Sequence, residues 1–158
     1  CTRQFRYSTA NTNTIDMALS VNGIPVVALE LKNQFAGQDY ICAINQYKND
    51  RSSKEFAFRL NHRFLVYFAV DLYEVWMTTQ LADSNTRFLP FNQGSNGAGV
   101  TGGAGNPQNP NGYATSYLWE EVLQRDSLLD LIHRFISFVK EKEEMVKTAS
   151  AEWSQRRK

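Results

Sequence analysis

The sequence has little of what several classes of protein depend on. Two cysteines, Cys1 and Cys42, in 158 residues are too few for a disulfide framework or a cysteine-rich zinc site. Two histidines, His62 and His133, give little support for a histidine metal site or a Ser-His-Asp triad. No apolar run approaches the length that spans a membrane, and the first residues do not have the pattern of a signal peptide. We therefore expect a protein of the reducing cytoplasm without a membrane partner.

Neither sign of charge is in excess. Lysine and arginine together number 17, against 16 for aspartate and glutamate, so the chain is not a polycation that binds nucleic acid indiscriminately. Any DNA contact must come from a local cluster, and segment 50–63 is the densest positive one before the tail. Backbone phosphates are the natural partner of such a segment, and a solvated connector is the alternative. The candidate DNA-binding residues, including one lysine just before the segment, are Lys48, Arg51, Lys54, Arg59 and Arg63.

Two short apolar runs meet at an Asn-Gly corner within residues 14–32. Their period-two alternation predicts two β-strands joined as a hairpin at Asn22-Gly23. A two-residue loop would place Asp16 opposite Leu29, which separates the two carboxylates of the hairpin. A three-residue loop over 22–24 would place Asp16 opposite Glu30. Because the large apolar residues then share one face, we predict the longer loop.

The predicted register divides the hairpin into a polar face and an apolar face. The polar face carries Asp16, Glu30 and Lys32 among small residues. Two carboxylates this close repel each other unless a proton or cation lies between them, and Mg²⁺ prefers oxygen ligands. The alternative is that all three are solvated strand residues, since Glu-x-Lys is a common tripeptide. The apolar face, which we expect to be the core surface, carries Ile15, Met17, Leu19, Val21, Val27, Leu29 and Leu31.

A helix and a buried strand follow the hairpin. Asp39 can cap a helix that runs to about Asn49. Gln46 lies beside the apolar stripe of this helix, so it either faces the carboxylates or is a surface residue. The continuous apolar run 64–70 predicts a strand buried on both faces, with 75–79 as its partner. The stripe itself consists of Tyr40, Ala43, Ile44 and Tyr47.

The composition changes after Phe91. Residues 92–112 are rich in glycine, asparagine and proline, which predicts a long loop, and no Lys-Ser or Lys-Thr follows to make a phosphate-binding loop. Helical periodicity returns beyond it, with Thr115-Ser116 and then Asp126 or Ser127 as caps. We expect a core over 1–112 and a helical extension over 113–158 that leads to a further domain, as in a piece of a larger protein.

Several motifs occur in a fixed order along the chain. After Asp16 come NGIPVVALELK (22–32), AINQYKNDR (43–51), FAVD (68–71), VWMTT (75–79), FLPFN (88–92), GNP (105–107) and YLWEEVLQRD (117–126). This ordered set resembles the amino-terminal nuclease region of the R (restriction and motor) subunit of type I restriction-modification enzymes.

The resemblance implies a restriction-endonuclease-like α/β fold of the PD-(D/E)xK type, a mixed sheet flanked by helices. It implies that Asp16 and Glu30 are Mg²⁺ ligands, that Lys32 is the catalytic lysine and that Gln46 supports the site. Two features depart from the family pattern. Thr14-Ile15 replaces a proline often found before the aspartate, and Tyr47 directly follows Gln46, where the family often has Gln-x-x-x-Tyr.

The same resemblance implies double-stranded DNA as the substrate and Mg²⁺ as the cofactor. Its implied partners are the methylation (M) and specificity (S) subunits, with an ATP-driven motor domain downstream of this region. An alternative from another class is a non-cleaving DNA-binding or subunit-docking domain with a nuclease-like fold.

Overall fold

The computed structural model describes residues 1–60, 62–95 and 103–135. These residues form a mixed six-stranded sheet with a few helices, which confirms the predicted α/β class. The strands lie side by side in chain order; β3 and β4 are parallel and the other neighbours are antiparallel. The strands are β1 (Thr2–Arg6), β2 (Thr14–Val21), β3 (Ile24–Leu31), β4 (Val66–Val70), β5 (Val75–Thr78) and β6 (Leu89–Pro90); the α-helices are α1 (Tyr40–Asn49) and α2 (Arg125–Phe135).

The turn between β2 and β3 is shorter than predicted. Val21 pairs with Ile24, so the connection is the two-residue turn Asn22-Gly23, and the predicted three-residue loop is wrong. Asn22 and Gly23 have φ values of 50° and 81°. Positive φ at both positions is the requirement of a type I′ turn, whose twist matches that of the flanking strands.

A β-bulge nevertheless restores the predicted register farther along the hairpin. Ser20 pairs with Pro25 but Leu19 pairs with Val27, so β3 carries one extra residue between them. Beyond the bulge Met17 pairs with Leu29, which is the register expected from the longer loop. The next step along this register brings Asp16 to Glu30.

The predicted division of the hairpin into core and polar faces is wrong in part. Helix α1 packs on β3 and β4 and covers the face that carries Ala28 and Ala69, which is the Glu30 side of β3. Leu31, expected in the core, is 40% exposed. Both faces of β3 are buried because the crossover through α1 places a helix over the predicted polar face, which excludes the alternative that Glu30 is a solvated strand residue. The cluster beneath α1 consists of Ile15, Ala18, Ala28, Ala43, Tyr47, Ala57, Phe58, Phe64, Tyr67, Ala69 and Leu81.

Helix α1 begins where the sequence predicted. The Asp39 side chain accepts a hydrogen bond from the Cys42 N–H at 3.1 Å and so caps the first turn. Tyr47 is buried and donates its hydroxyl to the Phe68 carbonyl. Tyr40, at the other end of the helix, stacks on Trp76 with ring centroids 5.2 Å apart. The helix is therefore held against the strands along its whole length.

Strand β4 and its partner also agree with the prediction. All residues of β4 after Val66 are buried, and β5 pairs with it across the turn that begins at Asp71. Asp71 is buried and accepts hydrogen bonds from the N–H groups of Tyr73 and Glu74, from the Tyr40 N–H and from the Gln34 side-chain amide. This carboxylate joins the β4–β5 turn to the start of α1.

The glycine-rich loop is pinned at its base by two asparagines. Asn92 accepts the Val75 N–H, and the Asn106 side chain bonds to Asn92, to the Gln93 N–H and to the Tyr73 carbonyl. Residues 96–102 of the predicted loop lie outside the described residues. The two ends that are described are thus attached to the start of β5 and to the turn before it.

The chain divides into two compact units, Cys1–Leu118 and Trp119–Lys158. A π-helical stretch covers Leu118–Val122. Helix α2 begins at Arg125, so Asp126 and Ser127 lie in its first turn and are not the predicted caps. The predicted continuation of this helix beyond residue 135 lies outside the described residues. Across the described ranges, no helix is long and apolar enough to cross a membrane.

Candidate metal centre

Glu30 is a carboxylate with no exposed surface beneath α1. Its Oε1 accepts hydrogen bonds from Arg51 Nε at 3.1 Å and Arg51 Nη2 at 2.8 Å. Its Oε2 is buried and has no hydrogen-bond partner within the described part of the chain. Burial raises the pKa of Glu30 to about 7, and the nearby Asp16 carboxylate also raises it, while Arg51 acts in the opposite direction. One oxygen of this side chain is therefore paired with Arg51, while the other has no donor among the described residues and can pair with the adjacent Asp16 carboxylate only through a shared proton.

Asp16 lies beside Glu30 but is reached from solvent. Its Oδ2 accepts the Leu31 N–H at 2.9 Å, and its Oδ1 lies 3.5 Å from the Gln4 side-chain nitrogen. The Thr14 hydroxyl donates to the other end of the Gln4 amide at 2.7 Å, which sets the orientation of that amide. Asp16 also lines an open depression on the surface of β1, β2 and β3 together with Arg3 and Leu31. The pair of carboxylates thus has one buried and one accessible member.

Lys32 and Gln46 meet at the end of β3. Lys32 Nζ donates to Gln46 Oε1 at 2.7 Å, and the Lys32 backbone N–H bonds to the Val70 carbonyl at 2.8 Å. Lys32 follows Glu30 by two residues, so strand alternation places both side chains on one side of β3. Tyr47, the next residue of α1, is buried against the sheet, and this packing holds the helix where the Gln46 side chain can contact Lys32.

The donor set suits a hard divalent ion only in part. Once Glu30 has lost its proton, its Oε2 and the adjacent Asp16 carboxylate would offer two anionic oxygen ligands of the kind that Mg²⁺ prefers. Among the described residues, no group of three or more histidine, cysteine, aspartate or glutamate side chains could hold a metal. An ion here would need water, a backbone carbonyl or a substrate phosphate to complete its shell.

A comparison with known protein families identifies the family of the chain. The family model for the type I restriction enzyme R protein N terminus matches residues 1–86. The chain belongs to this family. No curated protein and no solved structure matches it. The matched residues of this R protein N-terminal domain include Asp16, Glu30, Lys32 and Gln46.

The predicted DNA-binding residues of the R protein domain differ in accessibility. Lys54, Arg59 and Arg63 are exposed and Lys48 is half-buried. Arg51 is only 4% exposed and is ion-paired with Glu30, so its guanidinium is not available to a phosphate. The prediction that Arg51 contacts DNA is therefore wrong. The reason is long-range, because a carboxylate 21 residues earlier turns this arginine inward.

Two residues beside the carboxylates of the R protein domain were not anticipated in their observed positions. Gln4 contacts Asp16 from a non-glycine φ of 50°, an uncommon backbone conformation, and Arg51 contacts Glu30. No sequence spacing indicates either contact, since β1 and the segment after α1 are brought to the hairpin only by folding. The available sequence signal is the basic residue Arg51 at the end of the helix motif, and such a residue is also what a phosphate contact would require.

Proposed function

We propose that this domain is a Mg²⁺-dependent endonuclease of the restriction-endonuclease-like, PD-(D/E)xK type. Its substrate would be double-stranded DNA and its setting a type I R subunit. The observation that carries the proposal is the unpartnered, buried Oε2 of Glu30 beside Asp16 in a member of the R protein family. A purely structural carboxylate has no need of a free acceptor atom in a dry position.

The two carboxylates would hold the ion from different surroundings. Glu30 contributes an oxygen from the interior, where water does not compete, and Asp16 contributes from the open depression. Mg²⁺, when bound, lowers the pKa of a coordinated water and stabilises negative charge on a phosphodiester. Because burial raises the pKa of Glu30 to about 7, its carboxyl must lose a proton before it can serve as a ligand.

Lys32 and Gln46 would act on the substrate rather than on the ion. Lys32 Nζ is oriented by its hydrogen bond to Gln46 Oε1. An ammonium group held at this position would offset charge that develops on the scissile phosphate. Gln46 is then a positioning residue, and its amide has a remaining N–H₂ group for a water or a phosphate oxygen.

DNA contacts and partners extend the same proposal. Lys54, Arg59 and Arg63 are exposed in one segment that follows α1, and with Lys48 they would contact backbone phosphates. Cleavage would follow ATP-driven translocation by a motor domain of the R subunit, in a complex with the M and S subunits. Family membership supports this setting.

Calorimetric titration with Mg²⁺ at pH 8 tests the proposal. We expect binding by the wild-type chain, no binding by Glu30→Gln, and retained binding by Lys32→Ala. Glu55→Ala is the matched control, since Glu55 is a carboxylate near the helix motif whose side chain makes no capping hydrogen bond. A wild-type chain that binds duplex DNA but not Mg²⁺ would contradict the nuclease and favour a non-cleaving DNA-binding or docking domain.

A further inference from the structure

We propose that Arg51 is a positioning residue that sets the spacing of the Asp16 and Glu30 carboxylates and leaves Glu30 Oε2 free for the ion. This inference rests on the proposed function. It assigns to Arg51 a role in the metal site in place of the DNA contact expected from the sequence.

The guanidinium joins the two strands that carry the carboxylates. Arg51 Nη2 lies 2.8 Å from Glu30 Oε1 on β3 and 2.8 Å from the Thr14 carbonyl oxygen on β2. Thr14 stands two residues before Asp16. A single nitrogen therefore connects Glu30 to the backbone that leads into Asp16.

Two of the three Arg51 nitrogens engage the same oxygen of Glu30. Nε and Nη2 approach Oε1 at 3.1 Å and 2.8 Å, and neither is paired with Oε2. A parallel two-oxygen pairing is the common geometry of an arginine and a carboxylate, and it would have consumed both oxygens. The observed pairing instead rotates the carboxylate so that Oε2 is left unpartnered.

The arginine is itself held firmly. The Tyr7 ring lies 5.4 Å from the guanidinium carbon, and the Tyr7 hydroxyl bonds to the Asp50 carbonyl at 3.4 Å. The Asp50 N–H bonds to the Gln46 carbonyl at the end of α1. Arg51 thus ties the helix that carries Gln46 to both acidic strands, and a planar fork of donors suits this better than a lysine ammonium group.

Arg51→Lys is the decisive variant because it keeps a positive charge beside the buried carboxylate. The first measurement is amide hydrogen exchange in the metal-free chain. The Leu31 N–H bonds to Asp16 Oδ2, whereas the neighbouring Lys32 N–H bonds to the Val70 carbonyl on β4. If Arg51 places Asp16, Leu31 exchange should accelerate at least about tenfold while Lys32 exchange stays at its wild-type rate.

The second measurement is Mg²⁺ affinity by calorimetry at pH 8, where Glu30 is ionised. We expect Arg51→Lys to raise the Kd for Mg²⁺ at least about tenfold, as loss of a partner that orients a metal ligand does elsewhere. Thr115→Val is the matched control, because it removes a buried hydrogen bond to the Asp71 carbonyl without touching the carboxylate pair. It should leave both readouts unchanged.

The outcomes separate this inference from the proposed function. Unchanged Leu31 exchange, equal acceleration of Leu31 and Lys32, or a Kd within about twofold of the wild type would overturn the role of Arg51. A wild-type chain that binds no Mg²⁺ would instead overturn the nuclease, and the Leu31 amide would still decide whether Arg51 places Asp16.

Discussion

Glu30 and Asp71 are both buried carboxylates, but they differ in how hydrogen-bond donors are distributed over their two oxygens. Asp71, 3% exposed, accepts two N–H groups on each oxygen, from Tyr73 and Glu74 on Oδ1 and from Gln34 and Tyr40 on Oδ2. Glu30, with no exposed surface, has both of its donors on one oxygen and, among the described residues, none on the other.

This difference separates a structural carboxylate from a candidate ligand. The donors around Asp71 replace the water it loses on burial, and they fasten the β4–β5 turn to α1, so nothing further is needed there. Glu30 has a charge partner in Arg51 but an open acceptor position next to a second acid. Burial alone therefore does not distinguish the two acids, and the number of donors on each oxygen does.

The largest expected effect concerns the fold at Asp71. Asp71→Ala should lower the free energy of unfolding by about 4 kcal/mol, because four donors lose a charged acceptor and some of them stay buried. Urea denaturation measures the change. Asp126→Ala, which removes an exposed acid from α2, should leave the unfolding curve unchanged. A small effect of Asp71→Ala would show that the four hydrogen bonds to Asp71 contribute little to stability, which would remove the structural side of the contrast with Glu30.

The second effect is a pH dependence that Glu30 should confer on the metal-free protein. Burial raises the pKa of Glu30 from its ordinary value of 4.5 to about 7 in the folded chain, so the native state holds the proton more tightly than the unfolded chain. Stability is then fully present below pH 4.5 and falls as the pH rises to about 7. The loss should be about 3 kcal/mol in total.

Urea denaturation in EDTA across pH 4 to 8 measures this slope, and Glu30→Gln should remove most of it. The difference between the two chains isolates the contribution of Glu30. A wild-type slope equal to that of Glu30→Gln would show that Arg51 keeps Glu30 ionised throughout, and the carboxylate would then resemble Asp71 more than we infer.

The smallest effect is stabilisation by metal. At a free Mg²⁺ concentration ten times the Kd, binding should add about 1.4 kcal/mol to the stability of the wild-type chain. The gain should persist in Asp71→Asn and vanish in Glu30→Gln, as followed by thermal melting with and without Mg²⁺. Equal gains in all three chains would indicate binding elsewhere.

Two sequence signals disagree about the turn between β2 and β3. Asn22-Gly23 favours a two-residue turn, whereas the sorting of the apolar residues favours a three-residue loop. The structure satisfies both signals, because the bulge between Leu19 and Ser20 adds the missing residue. A bulge has no clear sequence signal, so neither pattern alone could have shown it.

Local signals determined several elements of this protein by themselves. Alternation marked the strands of the hairpin, Asp39 marked the start of α1, and a continuous apolar run marked β4. The ordered motifs also indicated the R protein family, which the family comparison confirms. These are features of short segments, and short-range hydrogen bonding and periodicity are enough to produce them.

Only the tertiary structure decided which charged side chains are buried and which of their atoms have hydrogen-bond or ion-pair partners. Helix α1 covers the predicted polar face of β3, and this buries Glu30. Arg51 is drawn inward to that carboxylate and pairs with one of its oxygens, while the other has no donor in the part of the chain that the structure describes. Burial and pairing depend on residues distant in the chain, and the free energy of a charge depends on what surrounds it in space.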